Sequence, residues 1–327
     1  MATILVTGGA GYIGSHVALA LKERGHSPVL LDNLSRGHRD ITERAIGEKV
    51  IVADTRDAEA LGEVFAQHKI DAVMHFAAFI EVGESVKDPL SFYDNNVHGT
   101  TTLLRAVQKA GVRHFVFSST CATYGPPRIV PIPEDHPQHP MSPYGQTKLI
   151  VERMLADCAV AFGLKYVSFR YFNAAGAHPD GGLGEDHSPE THLIPLVLDA
   201  ACGRRPSIAI FGDDYETPDG TCVRDYVHVS DLATAHVLGV EYLLANGEST
   251  AINLGNGRGF SVKEVIAAAI RVTGKPIRAE LAGRRPGDPP ILVGSSEKAR
   301  VLLGWNPRYA DIETIIAHAW AWHQVKK

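Results

Sequence analysis

The seven residues Gly8-Gly9-Ala10-Gly11-Tyr12-Ile13-Gly14 constrain this chain more than any other stretch. They join an apolar run, Ile4-Leu5-Val6-Thr7, directly to a helical pattern. A run that is apolar on both faces reads as a strand buried on both sides of a sheet. After the glycines, Ile13, Val17 and Leu21 recur every four residues along one helix face, and Gly25 stands where a glycine cap ends a helix. Gly8 permits a tight turn, Gly11 lets backbone approach a pyrophosphate, and Gly14 allows close packing of helix on strand. The start of that helix then offers amide donors and a favourable field to phosphates.

The same rhythm continues. Val29-Leu30-Leu31-Asp32, Val50-Ile51-Val52, Ala72-Val73-Met74 and His114-Phe115-Val116-Phe117-Ser118 read as further strands, as does Tyr166–Arg170. A long helix is predicted from Asn95 to Ala110, ended by Gly111. Alternation of this kind needs crossover connections, hence a parallel sheet covered on both faces. The expected fold class is α/β: a doubly wound, Rossmann-type parallel sheet with a second, smaller α/β substrate lobe. From Asn173 to Pro189 the chain is rich in Gly, His, Pro and Asp and reads as loop or linker. Beyond it come a helix near Leu193–Ala201, an extended stretch near Ile208–Phe211, and helices near Asp231–Leu244 and Ser261–Thr273. The division predicted is 1–175 for the dinucleotide domain and 176–327 mainly for substrate, with part of 225–255 returning to the first domain.

Asp32 ends the second strand, roughly 20 residues past the glycine loop, where an acid hydrogen-bonds the adenosine ribose. It repels a 2′-phosphate and so favours NAD over NADP, although Arg36 lies close enough in sequence to weaken the preference. Ser142-Pro143-Tyr144-Gly145-Gln146-Thr147-Lys148 opens another helix, with Pro143 suited to its first turn. Tyr144 and Lys148 are four apart and share a face. A phenol with a pKa near ~10 is a poor base at neutral pH. An adjacent ammonium, with the positive nicotinamide ring, is expected to lower it. Ser118-Ser119-Thr120 closes a strand at the same edge, and Thr120 can relay a proton from a sugar hydroxyl to Tyr144.

The formal net charge of -5 offers no basic field to nucleic acid or an anionic membrane surface. No apolar stretch is long enough to span a bilayer, and the N-terminus carries no signal-like region, so a cytoplasmic address is expected. Four cysteines stand far apart and read as buried thiols. Sixteen histidines show no His-Glu-x-x-His or similar spacing, and no metal is assigned.

Together these residues resemble the extended short-chain dehydrogenase/reductase family, in particular its nucleotide-sugar 4-epimerases, over essentially the whole length. The glycine loop and Tyr144-x-x-x-Lys148 belong to the wider family. More specific are His75-Phe76-Ala77-Ala78 with Val82-Gly83-Glu84-Ser85, Tyr93-Asp94-Asn95-Asn96, Tyr171-Phe172-Asn173-Ala174-Ala175-Gly176-Ala177, and Val223-Arg224-Asp225-Tyr226-Val227-His228. The resemblance implies an NAD-dependent enzyme that inverts C4 of a UDP-hexose such as UDP-glucose or UDP-galactose through a transient 4-keto sugar. It also implies a homodimer. On the cofactor side it places Gly8, Gly11, Tyr12, Ile13, Gly14, Asp32, Asn33, Asp54, Phe76, Ala77, Asn96, Ser118, Tyr144, Lys148 and Phe172. On the sugar-nucleotide side it places Thr120, Tyr144, Phe172, Asn173, His192, Leu193, Phe211, Arg224, Arg285, Asp288 and Leu292, with Thr120, Tyr144 and Lys148 catalytic.

Several positions depart from the epimerase pattern. Thr120 stands where serine is common, Ile80 where well-known members have lysine, and His192 in place of an asparagine; Leu292 falls where side-chain size governs room for an N-acetyl group. A UDP-pentose or a UDP-N-acetylhexosamine therefore stays open as substrate. A 4,6-dehydratase would carry an acidic pair after Thr120, where this chain has Cys121-Ala122. A non-enzymatic NAD-sensing regulator would be expected to lose the Tyr144/Lys148 pair, which is present.

Overall fold

The strand Thr3–Thr7, with Ile4, Leu5 and Val6 fully buried, runs inside a seven-stranded sheet in the computed structural model, which describes residues 1–285 and 288–326. In spatial order the strands are Thr250–Leu254, Lys165–Tyr171, His114–Thr120, Ala72–His75, Thr3–Thr7, Ser27–Asp32 and Val50–Val52. Every neighbouring pair is parallel. From Thr3–Thr7 the chain adds two strands on one side and then crosses to the other. The strand order reverses beside Ala72–His75, and a crevice opens there at the carboxyl ends of the strands.

Two apolar layers cover the sheet. One packs Val17, Ala18 and Leu21 with Leu232, Val240 and Leu243; the other packs Leu61, Leu103 and Val107 with Val151 and Leu155. The helix Tyr12–Glu23 ends as the sequence predicts: Gly25 takes φ +79° and its N–H donates to Lys22 O. The helix Val229–Leu244 lies against Tyr12–Glu23, and Thr250–Leu254 pairs with Lys165–Tyr171, so residues 229–254 return to the first domain's sheet. Gly239 makes that packing close, because a Cβ there would lie 2.6 Å from the Phe169 ring. A separate core of Ile194, Val197, Leu198, Ile208, Val265, Ile315 and Ile316 holds the second lobe.

Two local expectations need correction. The segment predicted as one helix from Asn95 to Ala110 is a π-helical turn, Tyr93–His98, running into an α-helix, Gly99–Ala110. The wide turn sets Asn95 and Asn96 inward, and Gly99 follows where a Cβ would come within 2.7 Å of Thr55 Oγ1. Asn173–Ala175, predicted as loop, is a short strand paired in parallel with Tyr226–His228. Its partner lies about fifty residues away, beyond the reach of local composition. Among the described residues, no helix is long and apolar enough to cross a membrane.

Candidate active site

The loops leaving Thr3–Thr7 and Ala72–His75 meet at the crevice. A Cβ on Gly8 would lie 2.6 Å from Ala77 N, and one on Gly14 would lie 2.1 Å from Gly8 O, so neither position has room for a side chain. Gly11 differs: apart from Gly8 O at 3.3 Å, its Cβ would meet nothing within 4 Å. Gly11 is also the N-cap of Tyr12–Glu23 with no capping side chain, which leaves the first-turn amides to an outside acceptor. Gly8, Gly11, Tyr12, Ile13, Gly14, Asp32, Asn33, Phe76 and Ala77 line a cleft of about 1710 Å³, counted with its open mouth.

Asp32 is buried, with its carboxylate accepting from Ala10 N at 3.0 Å and Leu34 N at 2.8 Å. Burial pushes its pKa up, and the two amide bonds oppose that rise. Arg36 is drawn elsewhere: Nη1 donates to Ser188 O at 2.5 Å and Nη2 pairs with Glu81 at 3.3 Å. With its arginine engaged and its acid on the wall, the loop fits a dinucleotide without a 2′-phosphate.

The strand His114–Thr120 brings Ser118 and Thr120 to the same cleft. Ser142 caps the helix Pro143–Phe162 through its side chain, which accepts from Gly145 N, and this start sets Tyr144 on the cleft wall. Lys148, one turn on, is buried behind it; Nζ donates to Ser118 O at 2.8 Å and lies 5.9 Å from the Tyr144 ring centre. Burial lowers the Lys148 pKa to about 7. Burial also pushes the Tyr144 phenol above its ordinary value, with Tyr171 adding to the rise and a hydrogen bond with Thr120 opposing it. Among the protein's own groups burial thus outweighs any help from Lys148; the lowering expected of Lys148 with the positive nicotinamide ring belongs to the loaded cleft. Desolvation wins, and a lysine near pKa 7 carries only part of its charge at neutral pH.

Phe172, Asn173, His192 and Leu292 complete the wall from the second lobe's side. Asn173 is oriented by its Nδ2, which donates to Asp225 O at 3.0 Å. Leu193 begins the helix Leu193–Ala201 and is not on the wall. Neither are Phe211, Arg224, Arg285 and Asp288, which gather in two contacts behind it. Arg224 is ion-paired with Asp288, and the Arg285 guanidinium stacks 3.9 Å from the Phe211 ring centre. Leu292 pairs in register with Arg224 on the neighbouring short strand, which joins this group to the cleft.

Asp54 and Asn96 also stand off the wall. Asp54 accepts from Asn33 Nδ2 at 2.8 Å and pairs with Arg56 at 2.8 Å. Asn96 Oδ1 accepts from Phe79 N, while Nδ2 donates to Phe79 O and to Thr147 Oγ1. It thus clamps the loop after Ala77 to the Tyr144 helix, acting through position rather than contact with the cleft. Sequence reasoning missed Tyr171, which lines the cleft and bonds to Ser118 Oγ, and Glu81, which also lines it and restrains Arg36. Their signal was weak: Tyr171 opens a recognised motif without a role assigned to it, and Glu81 lies between two motifs. It also missed a group of Glu185, His187, Glu190 and His192, four potential ligands within eight residues, where no metal was expected.

The NAD dependent epimerase/dehydratase family matches residues 4–255. A UDP-glucose 4-epimerase of Halalkalibacterium halodurans is 56% identical over 322 residues, covering 98% of this chain and 95% of its own. Among solved structures, a UDP-glucose 4-epimerase from Brucella ovis in complex with NAD superposes with a TM-score of 0.94 at 50% identity, covering 98% of each chain. One from Bifidobacterium longum in complex with NAD+ and UDP gives 0.93 at 39% identity, again covering 98% of each.

Proposed function

The chain belongs to the NAD dependent epimerase/dehydratase family, and from that premise we propose that it interconverts UDP-glucose and UDP-galactose by inverting C4, with Tyr144 as acid and base. One observation carries the reading: the glycine loop, Thr120 and Tyr144 share a single cleft with Phe172, Asn173 and Leu292. The glycine loop holds the pyrophosphate of NAD, Asp32 the adenosine ribose, and Tyr144 with Lys148 the nicotinamide ribose. When bound, NAD supplies the hydride acceptor and donor for C4, and its positive ring lowers the neighbouring phenol.

Tyr144 then takes the proton of the C4 hydroxyl, directly or through Thr120. Lys148, held behind the phenolate by Ser118 O, stabilises it through the part of its charge that burial leaves at neutral pH. The 4-keto sugar turns in the cleft, and Tyr144 returns the proton once the opposite face has been reduced. Arg224 and Arg285 anchor the diphosphate throughout, because a guanidinium offers several donors in a fixed fork. Their present contacts with Asp288 and the Phe211 ring leave further guanidinium N–H donors for the phosphates. Cys121 takes no part in proton transfer: burial raises its thiol to about 12, and no acid follows Thr120 to drive elimination of water.

A cytoplasmic setting and a homodimer belong to the same proposal. The four cysteines are free, which suits a reducing compartment.

UDP-glucose deuterated at C4 tests the chemistry. Label retained at C4 of the UDP-galactose formed is the expected result. Loss of label to water would mean simple deprotonation and overturn the transient-oxidation reading. Two substitutions check the binding roles. Arg224→Ala removes a charge-assisted contact worth about 1.5–3 kcal/mol, so KM for the UDP-sugar rises about 10- to 100-fold while kcat falls less. Steady-state kinetics measures the split. Gly14→Ala forces a methyl against Gly8 O, and overpacking of about 1–3 kcal/mol weakens NAD binding about 5- to 150-fold. The readout is the amount of nicotinamide nucleotide released on denaturing the purified variant.

A further inference from the structure

We propose that Glu185, His187, Glu190 and His192 form a binding site for one zinc-class divalent cation, seated between the glycine loop and the second lobe. One donor atom from each lies within 4.8 Å of all the others, a cluster that an ion with ligands at about 2.0–2.2 Å would draw closer together. Both histidines now bond through Nδ1 to Glu185, so an ion enters by displacing their protons; the two imidazoles so freed and two carboxylates then carry a formal charge of minus two, which a dication cancels. The donor set is specific. Imidazole suits zinc and its neighbours, whereas magnesium and calcium take oxygen ligands.

A second observation points to a ligand there. Glu190 is largely buried, its side chain 11% exposed, and Oε1 accepts from the amides of Thr191 and His192 at 2.8 and 2.9 Å. Those bonds fix the carboxylate, yet Oε2 is buried with no hydrogen-bond partner among the described residues. A buried carboxylate oxygen without a donor is costly, and a cation is the natural partner for it. Glu185 is more deeply buried, and its carboxylate is shared by His187 at 3.1 Å and by His192.

The backbone carrying the four ligands is held from both lobes. Trp322 Nε1 donates to Glu185 O at 2.9 Å, Arg36 Nη1 donates to Ser188 O at 2.5 Å, and His38 Nε2 bonds to Asp186 O at 2.7 Å. The backbone of the segment is thus held before an ion arrives, and the ligand side chains close around it. His187 and His192 also line the cleft, which gives the ion a way in. Four protein donors fill a tetrahedral shell, so the ion's role is structural: it pins the segment 185–192, whose His187 and His192 line the cleft.

The test uses the full-length protein stripped with chelator, dialysed and titrated with zinc chloride. Calorimetry is expected to show one zinc per chain, and elemental analysis after gel filtration to recover the same ratio. Cobalt(II) in its place is expected to give the visible bands of a four-coordinate ion. Glu190→Gln and His187→Ala, each checked for native circular dichroism, are expected to weaken zinc by about 100-fold or more. Magnesium in large excess is expected to leave the zinc in place. If the stripped protein takes up no stoichiometric zinc, or if both variants bind it as tightly as the parent, the site is overturned.

Discussion

Tyr144→Phe is expected to keep bound NAD and a native melting profile while losing about 10²–10⁴ in kcat, the range a positioned general acid–base supplies. The loss follows from what surrounds the phenol. Thr120 has no proton to lose near neutral pH, the Cys121 thiol is raised to about 12, and Tyr171 is engaged with Ser118. Lys148 is committed to Ser118 O and sits behind the tyrosine rather than on the wall. No neighbour is placed to take over the proton. The phenol is pushed up by burial among the protein's own groups, so its ionisation depends on positive charge brought by the cofactor and by Lys148. Lys148→Met is therefore expected to raise the phenol's pKa further and so shift the ascending, acid-side limb of the pH–rate profile to higher pH, not only lower its height. Near-parental turnover in Tyr144→Phe would remove Tyr144 as the base.

The second large effect is on stability. Glu152 and Arg170 form a buried ion pair, their side chains 8% and 7% exposed, with Arg170 Nη2 at 2.6 Å from Glu152 Oε2 and Nε at 3.0 Å from Oε1. Ser119 donates to the same carboxylate, and Arg170 Nη1 donates to Tyr124 Oη and to Glu134 O. The pair links the Tyr144 helix to the strands that carry Thr120 and Tyr171. Replacing Glu152 with Ala leaves a guanidinium buried without its counter-charge, which costs about 3–5 kcal/mol. Urea unfolding is expected to show that loss. Glu152→Leu combined with Arg170→Met is expected to recover most of it, because two apolar side chains of similar volume have no charge to compensate. A single-variant cost below about 1 kcal/mol, the value of an exposed pair, would contradict the account.

Much of this was legible in the sequence because the signals are local. The apolar run, the three glycines and Asp32 lie within one strand–helix–strand unit, and the helix face shared by Tyr144 and Lys148 follows from a spacing of four. The return of residues 229–254 to the sheet was anticipated only in part, since a seventh strand's place depends on which neighbour it finds. What stayed hidden depends on distant partners. Asn173–Ala175 reads as loop until Tyr226–His228 pairs with it. Asn96 reads as a cofactor contact, and only the fold shows its further task of binding Phe79, Thr147 and Asn95 through its side chain. Arg36 reads as a threat to NAD selectivity until Glu81 and Ser188 draw it off. The high starting point of the Tyr144 phenol was not legible, because spacing records who is near, whereas burial appears only in three dimensions.

Incubating the purified protein with UDP-glucose and no added NAD, and resolving the products by proton NMR, tests the central claim most directly. The account predicts UDP-galactose rising to an equilibrium mixture, the same one reached when UDP-galactose is the starting material. No interconversion in either direction, even after NAD is supplied, would contradict it.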